Sequence, residues 1–144
     1  MKNNAKKFKF LEHTADVKFQ AIGKTLEEAF ENCSLALKET ITKKDKIKIK
    51  DRIKKEIFIE GRDFENLLYN FLEQILYLMD AEDFLTSKIK KLNIDKKKLK
   101  LEAVLVGDDF SKYKLSNDVK AVTYNKMFVK KIKSQWVCQV VLDV

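Results

Sequence analysis

Gly61-Arg-Asp-Phe-Glu-Asn-Leu-Leu-Tyr-Asn-Phe-Leu-Glu-Gln-Ile-Leu-Tyr-Leu-Met79 decides the fold. Phe64, Leu67, Leu68, Phe71, Leu72, Ile75, Leu76 and Met79 recur at the helical period. The stripe is broad enough to pack across a sheet. Gly61 marks the turn before it, and Asp63 suits the N-cap, where a carboxylate can accept from a first-turn amide. Tyr69 and Tyr77 fall at the rim of the stripe and read as core-edge residues.

Outward from this helix the period changes to two. On the N-terminal side, Ile57 and Ile59 sit between Phe58 and charged residues, and Ile47 and Ile49 before them sit between lysines. Both stretches predict strands, with lysines that would blunt an exposed edge. Earlier still, Thr25-Leu-Glu-Glu28 is a capping box opening a helix with Leu26, Ala29, Phe30, Cys33 and Leu37 on one face. Cys33 fits that face as a small core residue, with a reactive thiol as the alternative. Before this helix, residues 8–11 and Val17–Ala21 predict strands, the second ended by Gly23.

On the C-terminal side the chain reads as β-structure from Phe84. Ile89 and Leu92 are weak strand signals, whereas Leu99, Leu101, Ala103 and Leu105 alternate up to Gly107. Lys96-Lys97-Lys98 predicts a hairpin tip and Gly107-Asp108-Asp109 a turn; 110–118 reads as a polar loop or short helical turn. Segments 119–124, 127–132 and 136–144 predict three successive strands, joined by hairpins at Asn125-Lys126 and Lys133-Ser134-Gln135. The expected fold is α+β, with two main helices layered on a mostly antiparallel sheet, in one domain over 1–144.

Composition excludes several functions. Three glycines cannot form the usual nucleotide-binding loops, and His13 is the only histidine, which removes multi-histidine metal centres. Cys33 and Cys138 form no Cys-x-x-Cys pair and suit a reducing compartment. No apolar run approaches the ~20 residues of a membrane span, and the polar start lacks a signal peptide. A soluble cytoplasmic protein without membrane contact is therefore expected. No nucleophile–base pair is suggested, so an enzyme is the last reading.

The formal charge is +8, and polyanions such as RNA are its natural partners. All but Arg52 and Arg62 of the 30 basic residues are lysine, however. Lysine is also common solvated padding, so the bland account, a biased genome, stands ahead of a polyanion partner. Asp143 is unusual within the apolar run Val140–Val144, and Asp16 sits at a strand entrance. With the carboxylate of Val144 they make a hard-oxygen set suited to calcium, magnesium or manganese. A solvated chain end and a turn cap are the alternative.

Phe10-Leu-Glu-His-Thr-Ala-Asp-Val17 with Gly23-Lys-Thr-Leu-Glu-Glu-Ala-Phe-Glu31 resembles the N-terminal signature of the archease family. Glu60-Gly-Arg-Asp63 with the helix after it, Val119-Lys-Ala-Val-Thr-Tyr124 and Val140-Val-Leu-Asp-Val144 resemble later family motifs, in the same order. The resemblance implies a non-enzymatic cofactor of the RtcB-type RNA-splicing ligase. Such a cofactor promotes guanylylation of the ligase's active-site histidine, permits multiple turnover in tRNA splicing and broadens nucleotide use. It also implies a divalent cation, calcium in the family, held by Asp16, Asp143 and Val144, with His13 and Lys120 lining the same tip. On this reading tRNA is met indirectly or weakly. The alternative is a basic RNA-binding or chaperone module acting on tRNA or a tRNA-modifying enzyme. Three positions depart from the family pattern: Lys18 replaces a usual glycine, Lys43 a frequent aspartate and Asn125 a frequent histidine.

Overall fold

Both helices start where the sequence provides caps. In a computed structural model describing residues 7–12, 16–42, 47–115 and 119–144, the Thr25 hydroxyl accepts from the Glu28 amide at 3.1 Å. The Glu28 carboxylate reaches back to the Lys24 amide at 2.8 Å, one residue beyond the cap. Helix α1 then runs Leu26–Thr42. Asp63 caps helix α2, Phe64–Glu82, accepting from the Asn66 amide at 2.7 Å. The end of α2 is set by Asp83, whose left-handed backbone (φ 53) sends its amide to the Leu78 carbonyl.

The strands are β1 (Phe8–Leu11), β2 (Val17–Gly23), β3 (Ile53–Glu60), β4 (Phe84–Asp95), β5 (Lys100–Asp109), β6 (Ala121–Ile132) and β7 (Gln135–Asp143). They form two sheets, β1-β2-β7-β6 and β3-β5-β4. Every strand pairing is antiparallel. Helix α1 packs on β2, β7 and β4, and α2 on β6, β4 and β3, so each helix serves both sheets. The α+β architecture with two main helices is as expected, with the strands divided between two sheets rather than gathered in one.

The core is the meeting of the predicted stripes. Phe30 of α1 stacks on Phe71 of α2 with ring centroids 5.9 Å apart, both fully buried. Burial of such side chains contributes about 1.5–3 kcal/mol each. Cys33 and Cys138 are buried free thiols, which supports the core reading of Cys33. Burial, then the contact with Cys138, pushes the Cys33 thiol well above its ordinary value.

Glutamates on the helices accept from edge-strand amides: Glu73 from Val122 at 2.8 Å, Glu65 from Val129 at 3.0 Å and Glu27 from Ile94 at 3.3 Å. These bonds cover groups that would otherwise invite a foreign strand. They also tie helices to sheets.

Five local expectations are corrected. Residues 47–52 are not a strand; instead the Ile49 carbonyl accepts from Ser87 at 3.4 Å, the Lys50 amide donates to Tyr113 at 2.9 Å and the Arg52 amide donates to the Gly107 carbonyl at 2.8 Å. Gly107-Asp108-Asp109 is not a turn but the end of β5, where Gly107 pairs with Ile53 and Thr86. A glycine is required there, because a Cβ would lie 2.0 Å from the Leu85 carbonyl oxygen. The proposed hairpin at Asn125-Lys126 is a bulge within one strand: both halves of β6 pair with β7, and the register shifts between Thr123 and Phe128. β4 is far longer than its weak signals suggested, because two register shifts break its alternation. Tyr77 is 56% exposed rather than core-edge, whereas Tyr69 stacks on Tyr124 at 4.2 Å.

Other expectations hold. The lysine run lies at the β4–β5 tip, where Asp95 accepts from the Lys97 and Lys98 amides. The turn at Lys133-Ser134 joins β6 to β7, and residues 110–112 form a short 3-10 turn. No helix among the described residues is long and apolar enough to cross a membrane.

Candidate functional site

The site is set by strand register. β2 and β7 are the inner strands of the four-stranded sheet, and Val17 pairs with Leu142. Continuing that register one step brings Asp16 beside Asp143, at the same end of neighbouring strands. Two aspartates 127 positions apart in the chain are thereby neighbours. On the other side of β7, Ala121 pairs with Asp143, and the Lys120 amide donates to the Asp143 carbonyl at 2.7 Å. Lys120 thus extends the same end of the sheet.

Burial differs among these groups. Asp16 is half-buried, while Lys120, Asp143 and Val144 are exposed. The apolar run carrying Asp143 fills the core up to Leu142, which is fully buried. Asp143 is the first residue past that run, so its charge does not need a buried partner. The puzzle of an aspartate in an apolar segment is resolved by its place at the strand end. His13 lies outside the described residues, as does Lys43.

Asp16 also borders a cleft of about 330 Å³ lined by Phe10, Leu11, Val17, Lys18, Glu39 and Thr40. Glu39 and Thr40 come from the last part of α1 and bring a second carboxylate and a hydroxyl to the cleft. Neither was expected from the sequence. Only the packing of α1 on β2 brings them near, and no local pattern around Glu39 signals it. Lys18 lines the same cleft and continues β2 as a regular strand.

The oxygens assembled at this end are hard donors, with no thiolate or imidazole among the described groups. Such donors suit calcium, magnesium or manganese rather than zinc or copper. Asp16 and Asp143 supply two carboxylates; among the described residues no group of three or more His, Cys, Asp or Glu is placed to hold a metal. The donor chemistry therefore fits a hard cation, with water or main-chain oxygen needed to complete its shell.

A larger cleft of about 910 Å³ lies by the β4–β5 tip, lined in part by Phe58, Glu60, Asp95, Lys100 and Glu102. Within it Lys100 pairs with Glu60 at 3.4 Å, and Asp95 serves the turn amides. It shares no residue with the Asp16–Asp143 end.

Asn125 sits in the β6 bulge and is exposed. Its amide donates to the Thr123 hydroxyl at 3.3 Å. It belongs to the bulge rather than to the paired residues beside Asp143.

Comparison with known proteins agrees with the fold and the motif order. The archease protein family matches residues 8–144. The protein archease of Methanosarcina barkeri is 36% identical over 148 residues, with 100% of both chains covered. That of Sulfurisphaera tokodaii is 39% identical over 140 residues, covering 96% of this chain and 99% of the relative. The solution structure of Methanobacterium thermoautotrophicum protein 1598 superposes with a TM-score of 0.76 at 34% identity, over 97% of this chain and 100% of that one. The crystal structure of a Thermotoga maritima archease, described as a possible chaperone, shares the fold at a TM-score of 0.62 and 18% identity, over 93% of this chain and 94% of its own. On a family match that spans all the strands and both helices, the chain belongs to the archease family.

Proposed function

We propose that the protein is a non-catalytic accessory of an RtcB-type RNA-splicing ligase, promoting guanylylation of the ligase's active-site histidine and its repeated turnover in tRNA splicing. Membership of the archease family supports this reading, and so does the description of the Thermotoga relative as a possible chaperone, a protein acting on other proteins. The observation that carries it is the register that sets Asp16 beside Asp143 at one exposed end of a basic molecule.

In this reading Asp16, Asp143 and the carboxylate of Val144 hold a divalent cation, calcium first and magnesium or manganese as alternatives. The bound cation supplies positive charge and exchangeable water sites to anionic oxygens of the partner. Lys120 and His13 make partner contacts around it. The protein acts in the cytoplasm, and the chemistry of ligation stays with the ligase.

The test is a multiple-turnover RNA ligation assay with the cognate ligase, in calcium-free buffer and with added calcium, magnesium or manganese. The wild type should raise turnover, and Asp16→Ala or Asp143→Ala should abolish the stimulation. No stimulation by wild-type protein in any of these buffers would refute the accessory role. Full stimulation by both variants would refute the cation site alone.

A further inference from the structure

The four-stranded sheet has one face in the core and one face outside it. Residues paired across neighbouring antiparallel strands share a face, so the register reads the outer face row by row. Lys9 pairs with Gln20, Gln20 with Gln139, and Gln139 with Phe128, giving one row across all four strands. The row on one side is Leu11, Lys18, Val141 and Thr123. The row on the other is Ile22, Val137 and Lys130. Val141 and Gln139 in the middle of the face are buried, at 1% and 7% exposure; the alternate positions Phe19, Ala21, Cys138, Val140 and Leu142 point into the core.

Three features of this face point to one class of occupant. First, its charged residues are Lys9, Lys18 and Lys130, and no carboxylate occurs in any of the three rows. The acids lie beyond the rows, at the Asp16–Asp143 end and at Glu28 and Glu31 by the opposite end. The outer face of the other sheet is different, mixing Glu56, Glu60 and Glu102 with its lysines. Second, its centre is polar and ordered: the Gln20 amide donates to Gln139 at 2.8 Å, and the Gln139 amide donates to the Lys126 carbonyl at 2.7 Å. Third, the Lys130 ammonium sits over the half-buried Phe128 ring, its Nζ 4.7 Å from the centroid, so a base stacking on that side takes the place of the ammonium, which is then released to a phosphate. A strand of phosphates needs lysines without nearby acids, and a base needs an aromatic surface to stack on. The face is ~14 Å wide, three interstrand spacings, which suits a short single-stranded segment.

We propose that this outer face, with Lys9, Lys18 and Lys130 around Gln20, Gln139 and Phe128, is a contact surface for single-stranded RNA. The interaction needs no ligase, so it stands apart from the accessory role. A second copy of the chain is disfavoured as the occupant, because two such lysine faces would repel.

The test is fluorescence anisotropy of a labelled twelve-nucleotide uridine oligonucleotide with the purified protein alone, across a salt series. Three phosphate contacts on a single strand predict a slope of about −2 in log affinity against log salt. Lys9→Gln/Lys18→Gln/Lys130→Gln should weaken binding at least tenfold and flatten the slope, and Phe128→Ala should weaken it about five- to hundredfold. A matched Lys54→Gln/Lys88→Gln/Lys91→Gln variant on the other sheet keeps the same net charge as the first triple and should bind like wild type. Circular dichroism confirms that each variant is folded; should Phe128→Ala unfold, Phe128→Leu replaces it. Equal losses in both triple variants would overturn the proposal, showing attraction to overall charge. Absence of binding at 50 mM salt, or tighter binding of polyglutamate than of the oligonucleotide, would overturn it in favour of no ligand or an acidic protein.

Discussion

The Tyr113 hydroxyl donates to the Asp108 carboxylate at 2.7 Å while it accepts from the Lys50 amide at 2.9 Å. Asp108 is 1% exposed. It also accepts from the Asp109 amide at 2.9 Å and faces Arg52 at 3.8 Å. This network fastens the irregular segment 47–52 to the end of β5, doing there what a strand ladder would do elsewhere.

Tyr113→Phe removes both hydrogen bonds of the hydroxyl and leaves a buried carboxylate short of a donor. Urea unfolding should show a loss of about 1.5–3 kcal/mol. A variant as stable as wild type would mean that segment 47–52 is held by other contacts.

Acid should report on the same carboxylate. The Tyr113 hydroxyl above all, then the Asp109 amide and Arg52, hold Asp108 below the usual aspartate range, against the opposing effect of burial. Its folded value therefore lies below its unfolded one. The stability it contributes is complete above the ordinary aspartate value and is lost as pH falls through the depressed folded value. Thermal melts from neutral to acid pH should fall less steeply at the acid end in Asp108→Asn than in wild type. Parallel curves would refute the coupling.

Glu73 and the Val122 amide provide a third test. Glu73→Ala should cost about 1–2 kcal/mol by leaving that amide unpaired. Amide hydrogen exchange at Val122 should accelerate markedly, while Glu73→Gln, which keeps an acceptor oxygen, should restore much of the protection. Unchanged exchange in Glu73→Ala would show that water replaces the carboxylate without loss.

Gly107 allows no side chain. A Cβ there would meet the Leu85 carbonyl oxygen at 2.0 Å, and backbone in the middle of a sheet cannot move aside cheaply. Gly107→Ala should lose ~3 kcal/mol or more, or fail to accumulate as folded protein. A melting temperature within a few degrees of wild type would contradict the close packing of β4 on β5.

The same particulars show what the sequence could and could not reveal. α2 was legible because its caps and its stripe are local: Asp63 binds an amide three residues away, and eight apolar positions repeat with one period. β6 was not, because its bulge contains no glycine or proline; Lys126 adopts a positive φ of 55, a conformation that no lysine announces. β4 was faint for a related reason, since each register shift resets the alternation. At the site, Asp143 stood out as an acid in an apolar run and Asp16 as part of a family-like motif. Glu39 was invisible, because its approach to Asp16 depends on how α1 lies on β2. The lysine face was equally hidden: Gln20 and Gln139 are 119 residues apart, and only strand order joins them.

The strand order of the larger sheet also bears on how the chain is made. β7 lies between β2 and β6, so neither the β1–β2 pair nor β6 has a neighbour for its free edge until β7 has been synthesised. The three-stranded sheet, by contrast, is complete once β5 has emerged. During translation the growing protein therefore passes through a stage in which one sheet can close while two strand edges of the other wait open. Nascent-chain folding assays should find the larger sheet, and with it the approach of Asp16 to Asp143, forming only after β7 clears the ribosome.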